Sequence, residues 1–255
     1  MNRWKSVIQM ADSVVNWLII LCFLPLLLYG IYAVWDSAQV NKQADASVYE
    51  TYKPSEDSFS FDELRKVNPE VFGWLTVYGT NIDYPLVQAE NNSKYVNIDV
   101  RGSFSISGGI FLDYRNDKSF TKINNIIYGH HMQKKVMFGE LECFSEETYF
   151  EKHKYGKIYY DSAWHGVEFF AFLNADAYDP VLYNAKLQGD EGRQAYLSYV
   201  KDHAENYRNI DLKSDERYIA MSTCTSSSTN GRHILVGRIT EKMEKDPFTE
   251  TERYP

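Results

Sequence analysis

A cysteine and an arginine stand at the two ends of one polar turn late in the sequence. Cys224 ends the strand-like run 218–223, and Arg232 opens the next apolar run, 233–237. If the two runs pair as a hairpin, the turn brings the thiol and the guanidinium together at one end of a sheet. A guanidinium stabilises a nearby thiolate and can donate hydrogen bonds to an oxyanion, which is the chemistry of thiol catalysis. A small buried cysteine beside a surface arginine is the alternative interpretation.

Two histidines follow another apolar run in the middle of the chain. Residues 126–132 read Ile-Ile-Tyr-Gly-His-His-Met, so His130 lies just past a glycine at the end of a predicted strand. A histidine at a strand end, opposite a cysteine, can accept the thiol proton and protonate a leaving group. A solvent-exposed pair in a loop is the alternative. A metal site is not predicted, because no further His or Cys accompanies the pair at metal-ligand spacing.

The composition limits the class of protein. The chain has 255 residues, is 44% hydrophobic and 15% aromatic, and carries three cysteines and a net charge of −8. A chain this rich in aromatics is not disordered throughout, and three cysteines cannot build a disulfide scaffold. The negative charge does not favour nucleic acid as a partner. Cys143 has no flanking arginine or polar turn, so we interpret it as structural, and Cys22 belongs to an apolar N-terminal segment.

That apolar segment predicts a membrane helix. Residues 13–35 carry no formal charge, and a helix of this length reaches roughly 35 Å, enough to cross about 30 Å of hydrocarbon. Arg3 and Lys5 precede it, which predicts a cytoplasmic N-terminus over 1–12 and an extracellular remainder. A cleaved signal peptide has a shorter apolar core and a small-residue cleavage site, whereas this run ends in bulky residues. We therefore predict a single-pass anchor in the cell membrane.

The rest of the chain divides into a linker, a folded domain and a tail. Residues 36–59 are polar and predict a linker, 60–240 form the domain, and 241–255 are a charged tail predicted to be disordered. A capping box at Ser60 predicts a short helix, and apolar spacing predicts a second helix over 190–206. Short β-branched or aromatic runs predict a mostly β fold with added helices, a barrel or a sandwich. The runs are 73–77, 82–87, 109–113, 123–128, 156–160, 167–173, 217–221 and 233–239.

Two other kinds of cysteine enzyme do not fit this order and spacing. A cysteine-dependent phosphatase needs a shorter loop that enters a helix, whereas seven residues separate Cys224 from Arg232 in a strand-turn-strand context. A papain-like protease has its cysteine before its histidine, the reverse of the order here. A non-enzymatic alternative remains, an anchored β-barrel receptor for peptide or carbohydrate, and it would tolerate loss of the Cys224 thiol.

In combination these features resemble the class B sortases. The resemblance covers 60–240 and is carried by the segments 68–75 and 82–88, by Tyr-Gly-His at 128–130, and by Ser-Thr-Cys at 222–224 followed by Arg232. It implies a sortase-like eight-stranded β-barrel with added helices, here preceded by an N-terminal transmembrane helix. It also implies a membrane-anchored cysteine transpeptidase that uses no organic cofactor, so that 60–240 would be the sortase catalytic domain.

The resemblance also implies a role for each candidate residue. Cys224 would be the nucleophile, His130 the general acid and base, and Arg232 the group that steadies substrate and oxyanion. Ser222 and Thr223 would line the substrate groove. The thiolate would attack a Thr carbonyl in the C-terminal sorting signal of a surface protein or pilin. An amine, most simply that of a peptidoglycan cross-bridge, would then resolve the acyl-enzyme and anchor the protein to the cell wall. The lysine of a pilin subunit is the alternative acceptor, which would make the chain a pilin polymerase.

Two positions depart from the family pattern. His131 follows His130 where many class B members have Asn, and we assign the catalytic role to His130 because it directly follows Tyr-Gly. Met221 stands where the signature often has Leu, which Met matches closely in volume.

Overall fold

The computed structural model describes residues 2–55, 60–213, 215–225 and 229–249. The chain divides into two compact units, residues 1–42 and 43–255. The helix α1 spans Asn2–Ala44 and accounts for the first unit. Its part from Trp4 to Ala44 is long and apolar enough to cross a membrane, by length and composition, and its apolar stretch is not buried by other parts of the chain.

Nine strands in the described part of the second unit form one continuous sheet. Their spatial order is β5-β1-β2-β3-β4-β8-β9-β6-β7, and β5 also pairs with β6. Eight strands therefore close a barrel, as predicted, while β7 adds to the outside of β6. The strands are β1 Val71–Val77, β2 Asp83–Val87, β3 Ile110–Leu112, β4 Asn124–Tyr128, β5 Tyr155–Tyr160, β6 Ala163–Asp176, β7 Asn206–Tyr207, β8 Tyr218–Cys224 and β9 Gly231–Thr240.

Helical segments precede the barrel and connect several of its strands. Three are α-helices: α2 Ser60–Val67, α3 Glu147–Lys152 and α4 Gly189–His203. The sequence predicted α2 and α4 but missed α3, which is too short for a clear apolar period. The expected capping box at Ser60 is not formed, because Ser60 is itself helical and its hydroxyl has no partner among the residues described. Short 3-10 turns span Ala46–Val48, Glu50–Tyr52, Lys94–Val96, Gln133–Lys135 and Gly139–Ser145.

Apolar side chains form two cores on opposite faces of the sheet. Met221 and Leu235 belong to the larger core, whereas their chain neighbours Ala220 and Ile234 belong to a smaller core that includes Tyr196 of α4. Successive side chains of a strand point to opposite faces, so β8 and β9 are covered on both sides. This explains why β8 reads as a nearly continuous apolar run, since every residue from Tyr218 to Thr223 is buried.

The segment that follows α1 packs against the barrel. The sequence predicted a linker over 36–59, but α1 continues to Ala44, and Ala44, Ala46 and Tyr49 are buried. The Tyr84 hydroxyl of β2 donates a hydrogen bond to the Ala44 carbonyl at 3.1 Å. Buried apolar side chains and polar contacts, among them the Lys53–Asp83 ion pair, thus hold this segment on the domain. Residues 56–59 lie outside the described residues.

The C-terminal segment also docks on the barrel as far as it is described. The sequence predicted disorder from residue 241 onward, but the Phe248 ring stacks on His153 with centroids 4.8 Å apart. The ring also covers Gly79, where an added Cβ would lie 2.6 Å from it. Phe248 therefore helps to hold this charged segment against the β1–β2 turn. The last residues of the tail, 250–255, lie outside the described part.

His153 makes the stability of the fold depend on pH. It is 4% exposed between Tyr149 and Phe248, and burial lowers its pKa below the usual value of about 6.5. As the pH falls through about 6.5, His153 takes up a proton in the unfolded chain more readily than in the folded one. The free energy of unfolding therefore decreases as the pH drops. We expect the urea midpoint to fall between about pH 7.5 and about pH 5.5.

The matched variant is His153→Phe, which keeps an aromatic ring in the stack but cannot be protonated. Its urea midpoint is expected to fall less over the same pH range. Some dependence should persist, because burial also lowers the pKa of His165 and of His233. An identical fall in the variant and the wild type would show that His153 does not contribute.

Candidate active site

The candidate site lies at the edge of the barrel where β4 and β8 end. The two strands pair in parallel, with Tyr128 opposite Ser222 in the last pair. The backbone N–H of Gly129 donates to the Ser222 carbonyl at 3.2 Å, so the pairing extends past the end of β4. Parallel strands end at the same edge of a sheet. His130 and Cys224, each two residues beyond the last pair, therefore meet at one edge.

The strand β9 brings the guanidinium to the same edge. β8 and β9 form the predicted antiparallel hairpin, in which Cys224 pairs directly with Arg232. Directly opposite residues place their side chains on the same face of the sheet. Cys224 is an exposed free cysteine, and Nη1 of Arg232 donates to the Gly231 carbonyl at 2.8 Å. Residues 226–228 of the connecting turn are outside the described residues.

Local packing fixes the position of His130. An added Cβ at Gly129 would lie 2.5 Å from Ile110 and 2.7 Å from Phe138, so only glycine lets the chain pass here. Nε2 of His130 lies 2.7 Å from the Val96 carbonyl oxygen. A carbonyl oxygen only accepts hydrogen bonds, so Nε2 carries a proton and Nδ1 is the nitrogen left to exchange one.

All five residues proposed from the sequence line one groove. Cys224, His130 and Arg232 lie there together with Ser222 and Thr223, in a cavity of about 570 Å³. Residues that the sequence did not single out for the site complete the lining: Asn92, Val96, Phe111, Arg115, Tyr128, Gly129, Ala177 and Tyr183.

Ser222 and Thr223 contribute differently to this groove. The Ser222 hydroxyl lies 2.7 Å from the Tyr183 hydroxyl, whose pKa burial raises to about 12, so the phenol is neutral at neutral pH. The Tyr183 ring stacks on Tyr128, with centroids 6.3 Å apart and an angle of 8° between the planes. Thr223 is 2% exposed, and its buried hydroxyl has no partner among the described residues.

A buried carboxylate supports the far end of the groove. Asp113 is fully buried and accepts hydrogen bonds from Arg115 at 2.7 and 2.8 Å, from Asn92 at 2.9 Å and from the Tyr128 hydroxyl at 2.9 Å. Burial alone would raise the pKa of Asp113, but the hydrogen bonds outweigh it and lower the pKa, so the group is charged. The available sequence signal was an acid, Asp113, at the end of a predicted strand, with Arg115 two residues later.

His131 does not line the groove. Its Nε2 lies 3.6 Å from the Glu142 carboxylate, and its ring faces His233 with centroids 6.4 Å apart. Within the described ranges, no three His, Cys, Asp or Glu side chains are arranged to hold a metal ion. Of the two adjacent histidines, His130 is therefore the one that shares a groove with Cys224.

Comparison with known proteins gives the family. The chain is 30% identical over 184 residues to sortase B of Listeria monocytogenes, which covers 71% of this chain and 74% of that protein. This chain belongs to the class B sortases. No family model matches it. Sortases are cysteine transpeptidases, so the chain is an enzyme and the receptor alternative is not supported.

Solved structures of class B sortases share the fold. The sortase B of the type II pilus of Streptococcus pneumoniae is 44% identical, with a TM-score of 0.63, and the match covers 71% of this chain and 99% of that one. A Streptococcus pyogenes class B sortase involved in pilus biogenesis is 40% identical, with a TM-score of 0.65, covering 71% and 98%. The eight-stranded barrel is thus the sortase barrel.

The exposure of the cysteines predicts different reactivities. Cys224 is exposed, whereas Cys143 is partly buried and burial raises its pKa, which disfavours the thiolate. With Cys22 replaced by Ser, iodoacetamide at neutral pH should alkylate Cys224 faster than Cys143. Peptide mass spectrometry measures both rates in the same sample. Equal rates would contradict a thiol at position 224 that is more accessible than the thiol of Cys143.

Proposed function

We propose that this sortase uses Cys224 as nucleophile, His130 as general acid and base, and Arg232 as the oxyanion-binding group. The observation that carries the proposal is that an exposed thiol, an oriented imidazole and a guanidinium line one groove in a member of a cysteine transpeptidase family. The substrate is the C-terminal sorting signal of a surface protein, cleaved after Thr, with Ser222 and Thr223 lining the path of the peptide.

The first step forms the acyl-enzyme. The Cys224 proton passes to Nδ1 of His130, and the sulfur attacks the Thr carbonyl carbon. Nε2 of His130 remains bonded to the Val96 carbonyl, which keeps the ring in place through the transfer. Arg232 donates hydrogen bonds to the oxyanion as it develops. The peptide bond then breaks, the departing amine takes the proton from His130, and a thioester remains on Cys224.

The second step transfers the protein to an amine. The amine attacks the thioester carbonyl, gives up a proton to His130, and the thiol is restored when that proton returns to sulfur. We propose the amine of a peptidoglycan cross-bridge as the acceptor, which anchors the protein to the cell wall. A pilin lysine is the second candidate, and the similarity to two sortases from pili, at 44% and 40% identity, supports it.

We further propose that α1 anchors the enzyme in the cell membrane. Its apolar length is enough for one span, and Arg3 and Lys5 precede the apolar stretch. This charge order favours a cytoplasmic N-terminus and an extracellular catalytic domain. A surface protein that is exported across the same membrane would then expose its C-terminal signal on the extracellular side, where the catalytic domain lies.

The central experiment is mass spectrometry of the full chain in detergent, incubated with a library of sorting peptides that each contain one Thr. We expect a covalent adduct on Cys224 whose mass ends at the Thr, and no adduct on the Cys224→Ala variant. Adding either a cross-bridge peptide or a lysine-containing pilin peptide then identifies the acceptor from the product. An adduct on another residue, or turnover by Cys224→Ala, would refute the assignment of the nucleophile.

The two adjacent histidines provide a matched pair of variants. His130→Ala should lower kcat/KM for peptide cleavage by about 100-fold or more, because it removes the proton carrier. His131→Ala should stay within about threefold of wild type, because His131 lies outside the groove. Thermal melting of both variants checks the fold. Inactivity of His131→Ala with an active His130→Ala would exchange the two roles.

A further inference from the structure

The groove presents two cationic side chains although the protein is acidic. Its described lining contains two guanidinium groups, those of Arg115 and Arg232, and no carboxylate, while the whole chain carries a net charge of −8. Asp113 balances the charge of Arg115, so a preference of Arg115 for an anionic ligand group depends on its remaining hydrogen-bond donors. The proposed reaction uses Arg232 for the oxyanion, which leaves Arg115 without a role.

The Arg115 guanidinium has a donor edge to spare. Nε and Nη2 donate to the two oxygens of Asp113 at 2.8 and 2.7 Å, and the side chain is 30% exposed. Nη1 has no hydrogen bond among the described residues. A guanidinium carries five N–H donors in one plane, so its outer edge, Nη1 with Nη2, can hold a second carboxylate in bidentate geometry.

Arg115 is held in place before any substrate binds. Asp113, fully buried, is fixed in turn by the Asn92 amide and the Tyr128 hydroxyl, and it also accepts the backbone N–H of Arg115 at 2.9 Å. A planar group whose orientation is already set loses little conformational entropy on binding. This arrangement is typical of a recognition group rather than of a mobile surface arginine.

The floor of the groove connects Arg115 to the thiol. Asp113 is bonded to Tyr128, Tyr128 stacks on Tyr183, and Tyr183 is bonded to Ser222, two residues before Cys224. Arg115 follows β3, and the order β3-β4-β8 places β3 two strand spacings, about 10 Å, to the side of β8. Because β3 runs antiparallel to β4, with Asp113 level with Ile126, Arg115 is also set back along the strands from the edge where Cys224 lies. An extended peptide advances about 3.3 Å per residue, so the separation corresponds to at least three residues.

We propose that Arg115 determines specificity by binding an Asp or Glu side chain of the sorting signal, at least three residues N-terminal to the Thr that Cys224 attacks. The N-terminal side is the half that stays on the enzyme as the acyl group and must be held until the amine arrives. The inference rests on the proposed function and adds to it the charge class of the substrate. Asn92 also lines the groove, and its side chain would lie next to the bound carboxylate.

The test uses the full chain in detergent and decapeptides with one Thr, in which each of the six preceding positions is Glu, Gln or Lys in turn. Wild type should cleave a peptide with Glu at the third position or beyond with kcat/KM about fivefold above its Gln counterpart. Arg115→Gln should remove this preference, and Arg115→Lys should retain part of it. The matched control is Arg65→Gln, which removes an exposed arginine of α2 outside the groove and should keep the preference.

A second variant controls for the possibility that Arg115→Gln does not fold. Arg115→Gln leaves the Asp113 carboxylate buried without its cation, so the double variant with Asp113→Asn is measured in parallel, with melting temperatures for both. Loss of the Glu preference in a folded variant supports the inference. Equal cleavage of Glu and Gln peptides by wild type, or a Glu preference that survives in the double variant, would refute the role of Arg115 but not the proposed function. Cleavage of no peptide by wild type overturns the proposed function and this inference with it.

Discussion

The parallel pairing of β4 with β8 is the constraint on which the site depends. It joins strands that are far apart in the chain, and its register, with Tyr128 opposite Ser222, places His130 level with Cys224. In an antiparallel pair the two residues would lie at opposite ends of the strands. A shift of one residue would turn Cys224 to the other face, since side chains alternate along a strand. The hairpin to β9 then adds Arg232 at the same level.

Much of the barrel follows from short-range sequence patterns. Each of the eight apolar runs corresponds to a strand, because β-branched and aromatic residues between Gly and Asn leave few other local conformations. The hairpin of Cys224 and Arg232 was predictable for the same reason, since a polar turn between two apolar runs is a local signal. The closure of the sheet came from the resemblance to a family, because the pairings of β5 with β1 and of β6 with β9 join strands that are far apart in the chain.

The parts of the site that could not be predicted are formed by backbone groups or by residues that are far apart in the sequence. The partner of His130 is the backbone carbonyl of Val96, and every residue has a carbonyl, so no residue type marks it. Asp113 resembles any acid after a strand until the fold brings Asn92 and Tyr128 to it. Phe248 was likewise concealed in a charged segment, because its binding surface at Gly79 and His153 exists only in the folded barrel.

The closed barrel also restricts how a peptide can be held. Among the residues described, each of its eight strands has a partner on both sides, with β5 joined to β6, so the two-residue β7 is the strand that leaves an unpaired sheet edge. The barrel strands therefore give a sorting signal little opportunity for β-augmentation, the mode in which an extended peptide gains affinity from main-chain pairing whatever its sequence. Affinity then depends mainly on side chains in the groove, which makes binding depend on the sequence of the signal.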